Sequence, residues 1–260
     1  MTKNIILGAV AALVLGPTAA LAADLPVKAV PVPVAIYDWT GFYIGISGGG
    51  SLGGSSHIDA ATGLGDTMGY NVKGGLVGGT IGYNWQVSSW VIGFEGDASW
   101  VGEYGSHIDD GLAGVPCGGN FVCSSPFQSF TQETWNATAR ARFGYAVNNL
   151  LFYGTGGYAA AGVTDGVKNS ATNALIVSSS GTRNGWTAGG GIEWGFAPNW
   201  SAKFEWLYMK FDSAPLTTGL LNIGGVTEGN RSAVTLDDNV VRAGINYRFG
   251  GGPAPVAAKY

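Results

Sequence analysis

Two glycine-rich patterns in the first quarter of the chain match catalytic or phosphate-binding motifs. Residues 45–49 (GISGG) fit G-x-S-x-G, and Gly48, Gly50 and Gly53 fit G-x-G-x-x-G. Both motifs need a strand that turns into a helix, and residues 51–72 carry no helical stripe of apolar side chains. Because 45 of the 260 residues are glycine, chance matches are expected, and we predict that the protein is not an enzyme.

The chain has two histidines, His57 and His107. Both fall in predicted loops, so neither is placed on a strand as a base for Ser47. Two loop imidazoles can also hold haem iron, with Tyr70 or Tyr104 as a further ligand. Hemin binding is therefore one hypothesis, and ordinary solvated histidines are the favoured interpretation. No cofactor is predicted.

Cys117 and Cys123 are separated by five residues. Zinc would need two further ligands at suitable spacing, and none is near in the sequence. An oxidising compartment favours a disulfide that closes a small loop. Several aspartates make the predicted loops acidic, and we interpret them as solvated, with cation bridging to lipopolysaccharide or a Ca²⁺ site as the alternative: Asp59, Asp66, Asp109, Asp110, Asp237 and Asp238.

A larger set of charges occupies alternate positions in apolar segments, opposite aromatic residues. Four acids and five bases belong to it: Glu95, Asp97, Glu193 and Glu205, with Arg140, Arg142, Lys203, Arg242 and Arg248. If the segments that carry these charges are strands of a narrow barrel, the charges form either a selective pore or an ion-pair network that fills the interior. A barrel of eight strands has room for little more than side chains, and pairing avoids the cost of an isolated buried charge, so the network is favoured.

Composition indicates an unusual solvent for these segments. Only 12% of the residues are charged, about half the usual share. Hydrophobic residues make up 46%, too many for a disordered chain. A net charge of −4 offers no basic face, so nucleic acid is not expected as a partner.

Eight segments alternate apolar and polar residues with a period of two, which predicts strands. In the clearest, one face carries Trp90, Ile92, Phe94, Ala98 and Trp100, and the other carries Glu95, Asp97 and Ser99. The connections alternate in length, with short ones after segments two, four and six. The long ones cover residues 51–72, 105–132, 163–183 and 212–239.

This alternation is typical of bacterial outer-membrane barrels, which have short periplasmic turns and long outer loops. Seven tryptophans lie at or near predicted strand ends, where interfacial aromatic residues concentrate: Trp85, Trp90, Trp100, Trp135, Trp186, Trp194 and Trp200. We therefore predict an all-β fold, an eight-stranded antiparallel transmembrane β-barrel with four long outer loops. A soluble β-sandwich is the alternative.

The ends of the chain carry different signals. Residues 1–22 have a lysine, an apolar run and an A-x-A site, the layout of a signal peptide for export. Residues 23–38 form a proline-rich periplasmic segment, residues 39–249 the barrel, and residues 250–260 a Gly/Pro tail. The predicted location is the outer membrane.

Three stretches resemble an alphaproteobacterial family of small barrels, the outer membrane immunogenic proteins or RopB-like porin-family proteins. They are AADLP at 22–26, DWTGFYIG at 38–45 and VRAGINYRF at 241–249. The resemblance implies an eight-stranded barrel with surface-exposed loops, and it keeps the hemin hypothesis open. Many family members end on the last strand's aromatic residue, so here either Phe249 or Tyr260 would be the assembly signal.

The predicted function is structural, with the loops presented at the cell surface and the lumen filled by the ion-pair network. The alternatives are a narrow porin for small solutes and a surface receptor for hemin. Expected partners are outer-membrane lipid, lipopolysaccharide and the barrel assembly machinery. Contacts with peptidoglycan or host molecules are left open.

Overall fold

A computed structural model describes residues 37–59, 69–109, 127–217, 221–223, 226–228 and 231–250. These residues form ten strands: β1 (Gly41–Asp59), β2 (Tyr70–Val87), β3 (Trp90–Asp109), β4 (Phe127–Val147), β5 (Leu150–Asn169), β6 (Leu175–Ala197), β7 (Trp200–Thr217), β8 (Leu221–Ile223), β9 (Val226–Glu228) and β10 (Arg231–Arg248). In the described ranges no helix is long and apolar enough to cross a membrane. The predicted signal peptide, both cysteines and residues 251–260 lie outside them.

Eight strands close into one antiparallel barrel, in the order β1-β10-β7-β6-β5-β4-β3-β2. The first and last strands pair from Tyr43–Arg248 to Asp59–Ser232. This pairing removes both sheet edges, so the backbone groups of all eight strands find partners within the barrel. The predicted eight-stranded antiparallel barrel is confirmed. The short strands β8 and β9 pair only with each other.

Tight turns connect β2 to β3, β4 to β5 and β6 to β7. Ser88 and Asn148 have φ angles of 56° and 54°, in the left-handed region that Asn tolerates better than most residues. We call the end of the barrel that carries these turns the turn end, and the opposite end the far end.

The barrel strands are longer than the sequence pattern indicated, at 18–23 residues. A membrane-spanning strand needs about 9–11. The extensions occupy much of the predicted loops, and between β5 and β6 only residues 170–174 remain. Backbone pairing continues through these Gly-, Ser- and Asp-rich stretches although the apolar alternation has stopped. His57 and His107, which we predicted in loops, lie in β1 and β3.

The outer face of the barrel is apolar, and the inner face carries most of the buried charged residues. On β3 the side chains of Phe94 and Trp100 are 61% and 76% exposed, whereas Glu95 is 2% exposed. This is the reverse of a water-soluble fold and confirms the predicted faces. Trp90 and Trp100 are ten residues apart, which in a tilted strand spans about 25 Å, the height of a lipid-facing band.

The outward-facing aromatic residues form two groups. Near the turn end, Trp90 stacks on Phe143 with ring centroids 5.1 Å apart, and Trp200 meets Tyr247 at 5.0 Å. The second group includes Trp100 and its cross-strand partner Trp135. These two residues lie in the middle of long strands, whereas we predicted them at strand ends, because β3 and β4 continue beyond the apolar band.

Candidate functional site in the barrel lumen

The side chains that face the lumen form four layers, stacked from the turn end to the far end. Around Trp39 lies an apolar turn-end cluster, completed by Val91, Ala146, Leu151 and Tyr153. An ion-pair layer follows. Next comes an apolar far-end cluster, which includes Leu76, Val101, Leu207, Met209 and Val240. Beyond it, Arg183 and Asp165 form a separate buried ion pair.

Arg140 on β4 is the hub of the ion-pair layer. Its guanidinium forms ion pairs with Asp97 at 2.8 Å and with Glu205 at 3.0 Å, and it also contacts Glu95. Its Nε donates a hydrogen bond to Thr138 at 2.9 Å. One cation therefore links acids from β3 and from β7, on opposite sides of the lumen.

Arg242 on β10 makes a second set of contacts, with its cross-strand partner on β7 and with an acid on β3 across the lumen. Its Nη1 lies 2.9 Å from Asp97 Oδ1, and its Nη2 lies 2.6 Å from Glu205 Oε2. The same two carboxylates thus bind both Arg140 and Arg242. Such forked, charge-assisted pairs are the strongest hydrogen bonds that side chains form.

Glu95 and Glu193 complete the layer on the turn-end side. Lys203 Nζ lies 3.0 Å from Glu95 Oε2, and Arg142 lies 2.7 Å from Glu193 and 3.3 Å from Glu95. Ser201 and Asn246 donate further hydrogen bonds to Glu193. All the acids predicted for the lumen are therefore paired with cations.

Arg248 differs from the other predicted members. Its Nη1 and Nη2 donate to the backbone carbonyls of Thr40 and Pro198 at 3.0 and 2.9 Å, and its guanidinium lies over the ring of Tyr37. Among the described side chains it makes no ion pair. The layer therefore holds four acids against four bases: Glu95, Asp97, Glu193 and Glu205, with Arg140, Arg142, Lys203 and Arg242.

Two buried tyrosines extend the network. The Tyr43 hydroxyl donates to Glu95 at 2.8 Å and accepts from Arg142 at 2.7 Å. The Tyr153 hydroxyl donates to Glu205 at 3.0 Å, and its ring lies 3.9 Å from the Arg142 guanidinium carbon. These hydroxyls add a further donor to carboxylate oxygens that Lys203 and Arg140 also contact.

A glycine lies opposite each tyrosine and makes room for its ring, and for Tyr153 this glycine is Gly191. Gly82 is the cross-strand partner of Tyr43, and a Cβ at this position would collide with that ring and lie 2.8 Å from the Phe94 carbonyl oxygen.

We expect Gly82→Ala to lower the free energy of unfolding by about 1–3 kcal/mol through overpacking. Chemical unfolding in lipid vesicles measures this. Gly181→Ala, where no heavy atom lies within 4 Å, is the control and should change stability by under about 0.5 kcal/mol; equal effects would contradict the explanation.

Three further acids face the lumen beside the far-end cluster: Glu103, Glu133 and Asp238. We had not predicted Glu103 or Glu133, and we had interpreted Asp238 as a solvated loop residue. That interpretation was wrong, because Asp238 lies on β10 with 1% of its surface exposed. Glu103 and Asp238 keep the inward phase of Glu95 and Arg242, so an extended alternation would have found them.

Glu133 could not have been found in that way. A bulge between Glu133 and Trp135 shifts the β4 register. Counting back by twos from the outward-facing Trp135 places Glu133 on the outer face, whereas it is 1% exposed inside the barrel.

The remaining predicted site residues lie apart from the ion-pair layer. His107 packs its ring parallel to Tyr70, with centroids 6.4 Å apart, while only the backbone of His57 is described. Residues 45–49 lie within the uninterrupted strand β1, not at the strand-to-helix turn that a nucleophile elbow requires. Because Cys117 and Cys123 are not among the described residues, their disulfide stays a prediction.

A closed eight-stranded barrel with an apolar outer band, aromatic belts and a charged interior is an outer-membrane barrel. The chain matches the outer membrane protein beta-barrel domain family over residues 9–249. It belongs to that family, and it is an outer-membrane protein.

Relatives among known proteins agree with this assignment. The chain is 32% identical to the 31 kDa outer-membrane immunogenic protein of Brucella melitensis over 269 residues, which cover 95% of this chain and 100% of the relative. It is 29% identical to the 22 kDa outer membrane protein of Rhizobium leguminosarum bv. viciae, over 81% of this chain and 78% of the relative. The predicted alphaproteobacterial family is confirmed.

Solved structures include similar chains at low sequence identity. The outer membrane protein OprG of Pseudomonas aeruginosa is 16% identical, with a TM-score of 0.46 over 82% of this chain and 98% of that chain. Neisserial surface protein A is 11% identical, with a TM-score of 0.38 over 81% of this chain and 98% of that chain.

Proposed function

We propose that the protein is a structural, non-enzymatic and non-conducting barrel of the outer membrane, whose far end is presented at the cell surface. The observation that carries this proposal is the ion-pair layer. Arg140 and its partner Glu205 have side chains that are 0% exposed, and Asp97 is 1% exposed. Because charged side chains in contact join opposite walls of the lumen, we expect water and ions to find no continuous path through this layer.

Cross-lumen pairing also braces the barrel. Arg140 on β4 reaches Glu205 on β7, and Arg242 on β10 reaches Asp97 on β3. Neither pair lies on neighbouring strands. These contacts resist flattening of the cylinder, a deformation that backbone hydrogen bonds between adjacent strands do not prevent. This property suits a protein whose role is mechanical.

The proposed orientation follows the general rule that short turns face the periplasm. The far end, with strands that project beyond the apolar band, would then lie outside the cell. The Brucella relatives are named outer-membrane immunogenic proteins, which supports exposure of the corresponding surface here.

Single-channel conductance tests the filled lumen. We expect the refolded barrel to give no discrete current steps in a planar bilayer, because two apolar clusters flank the ion-pair layer. Folding of the same sample is confirmed by its heat-dependent gel mobility, and a known porin inserted under the same conditions is the positive control. Repeatable current steps that scale with the number of inserted barrels would overturn the proposal in favour of a narrow porin.

A further inference from the structure

The buried carboxylates of Glu103, Glu133 and Asp238 meet within the lumen, although they come from three different strands. Their nearest oxygen atoms all lie within 4.8 Å of one another. Each residue is 1% exposed. Glu103 and Glu133 are direct cross-strand partners, an arrangement that is destabilising for like charges, and Asp238 approaches them from β10.

These carboxylates lack the compensation that the ion-pair layer provides. Each acid of that layer contacts an Arg or Lys, whereas in the described part of the chain no cationic side chain pairs with Glu103, Glu133 or Asp238. Several kcal/mol per ion is the usual cost of burying an unpaired charge. The contrast within one lumen therefore needs an explanation.

The hydrogen-bond donors that reach the three residues are too few. Ser51 donates to Glu103 Oε1 at 3.2 Å, and Asn136 donates to Glu133 Oε1 at 2.9 Å. The Gly53 backbone N–H also interacts with Glu103. While all three carboxyls are ionised, no donor among the described residues reaches the other oxygen of either glutamate or either oxygen of Asp238. Four buried carboxylate oxygens are thus unsatisfied, although such atoms normally have a partner.

We propose that Glu103, Glu133 and Asp238 bind a divalent cation, with Ca²⁺ as the preferred ion. The site offers oxygen ligands alone, which hard cations prefer over the nitrogen and sulfur ligands typical of Zn²⁺. Ca²⁺–oxygen distances of about 2.3–2.6 Å place opposite ligands up to about 5 Å apart, so three oxygens within 4.8 Å of one another can bind one Ca²⁺. Ca²⁺ is preferred because Mg²⁺ demands near-ideal octahedral geometry and gives up its water ligands reluctantly, whereas Ca²⁺ accepts flexible geometry.

The ion would join β3 and β4 to β10 across the lumen, on the far-end side of the apolar residues Val101 and Val240. It would play there the part that Arg140 plays in the ion-pair layer. A bound ion with a charge of +2 leaves a residual charge of −1 on three carboxylates, in place of −3. We therefore expect Ca²⁺ to stabilise the folded barrel.

Equilibrium dialysis with ⁴⁵Ca²⁺ tests the site directly. The full barrel is refolded in detergent with Ca²⁺ present, to load the buried site during folding, and is then dialysed against Ca²⁺ buffers that contain excess Mg²⁺. The expected result is one Ca²⁺ retained per folded chain and a higher unfolding midpoint than for barrel refolded with a chelator. A folded wild-type barrel that retains no stoichiometric Ca²⁺ would overturn the proposal and indicate that protons neutralise the cluster.

Two variants separate this site from other acidic groups. Asp238→Asn should weaken Ca²⁺ binding by at least about tenfold and remove the rise in the unfolding midpoint. Asp237→Asn is the matched control, since it removes the same charge at the neighbouring position, which is not part of the cluster. It should retain the bound ion. If both variants lose the bound Ca²⁺ equally, or if both retain it, the cluster is excluded as the binding site. If Asp238→Asn does not fold, the other two proteins still test the proposal. One Ca²⁺ retained by both the wild type and Asp237→Asn supports it, and no Ca²⁺ retained by the wild type overturns it.

Discussion

Arg140→Ala is expected to lower the free energy of unfolding of the barrel by about 3–5 kcal/mol, the usual cost of removing one partner of a buried ion pair. Arg140 contacts Glu95, Asp97 and Glu205, and all three remain in the lumen when the guanidinium is lost. Arg242 and Lys203 are already committed to the same acids. The layer changes from four acids and four bases to four acids and three bases.

The measurement is denaturant unfolding in lipid vesicles, with the folded fraction read from gel mobility. Arg248→Ala is the control, because Arg248 is a buried arginine like Arg140, with exposures of 5% and 3%. Its guanidinium donates to two carbonyls and not to carboxylates, so we expect a smaller loss, on the order of 1–3 kcal/mol. A loss for Arg140→Ala no larger than for Arg248→Ala would show that the ion-pair layer is not a main source of stability.

The lumen charges were predictable because lipid imposes a strict rule on the outer face. Where Trp90, Phe94 and Trp100 must face hydrocarbon, the alternate positions face inward whatever their type. Eight of the nine charges predicted for the lumen network pair with one another in the structure. The contacts of Arg140 with Glu205 and of Arg242 with Asp97 were not predictable, since they cross the lumen between strands that are not neighbours.

Three features could not be read from alternation alone. Strand length was underestimated because backbone pairing continues where the outer face meets water and no longer needs apolar side chains. Glu133 was missed because a bulge reverses its phase. Arg248 has the correct inward phase but lies at the level of Thr40 and Pro198, where carbonyl oxygens satisfy it. Periodicity reports the face on which a residue lies, and it does not report depth along the barrel.

Buried charge is compensated in two different ways at two levels of the lumen. Near the turn end the protein supplies both signs itself, so the ion-pair layer is neutral and needs nothing from solution. Beyond the apolar residues Val101, Leu207 and Val240, the cluster of Glu103, Glu133 and Asp238 is of one sign. Neutralisation there must come from solution, which makes that part of the lumen sensitive to the medium.

Trp39→Ala should have an effect as large as that of Arg140→Ala, by a different mechanism. Trp39 is 2% exposed, packs with Val91 and Leu151 in the turn-end cluster, and donates its backbone N–H to Gln86 at 2.7 Å. It precedes β1, and its side chain packs among the residues at the turn end of the lumen. Truncation to Ala leaves a large cavity, and the expected loss is about 3–5 kcal/mol in the same unfolding experiment.

Trp39→Phe is the matched control. The indole Nε1 is buried without a hydrogen-bond partner among the described residues, so Phe removes an unsatisfied donor while it keeps most of the apolar volume. We expect a loss below about 1.5 kcal/mol. Conductance separates the two layers: Trp39→Ala should remain silent in a bilayer, because the ion-pair layer beneath the cavity is intact. Current steps in Trp39→Ala would show instead that the turn-end cluster closes the lumen, and that the ion pairs brace a barrel which they do not seal.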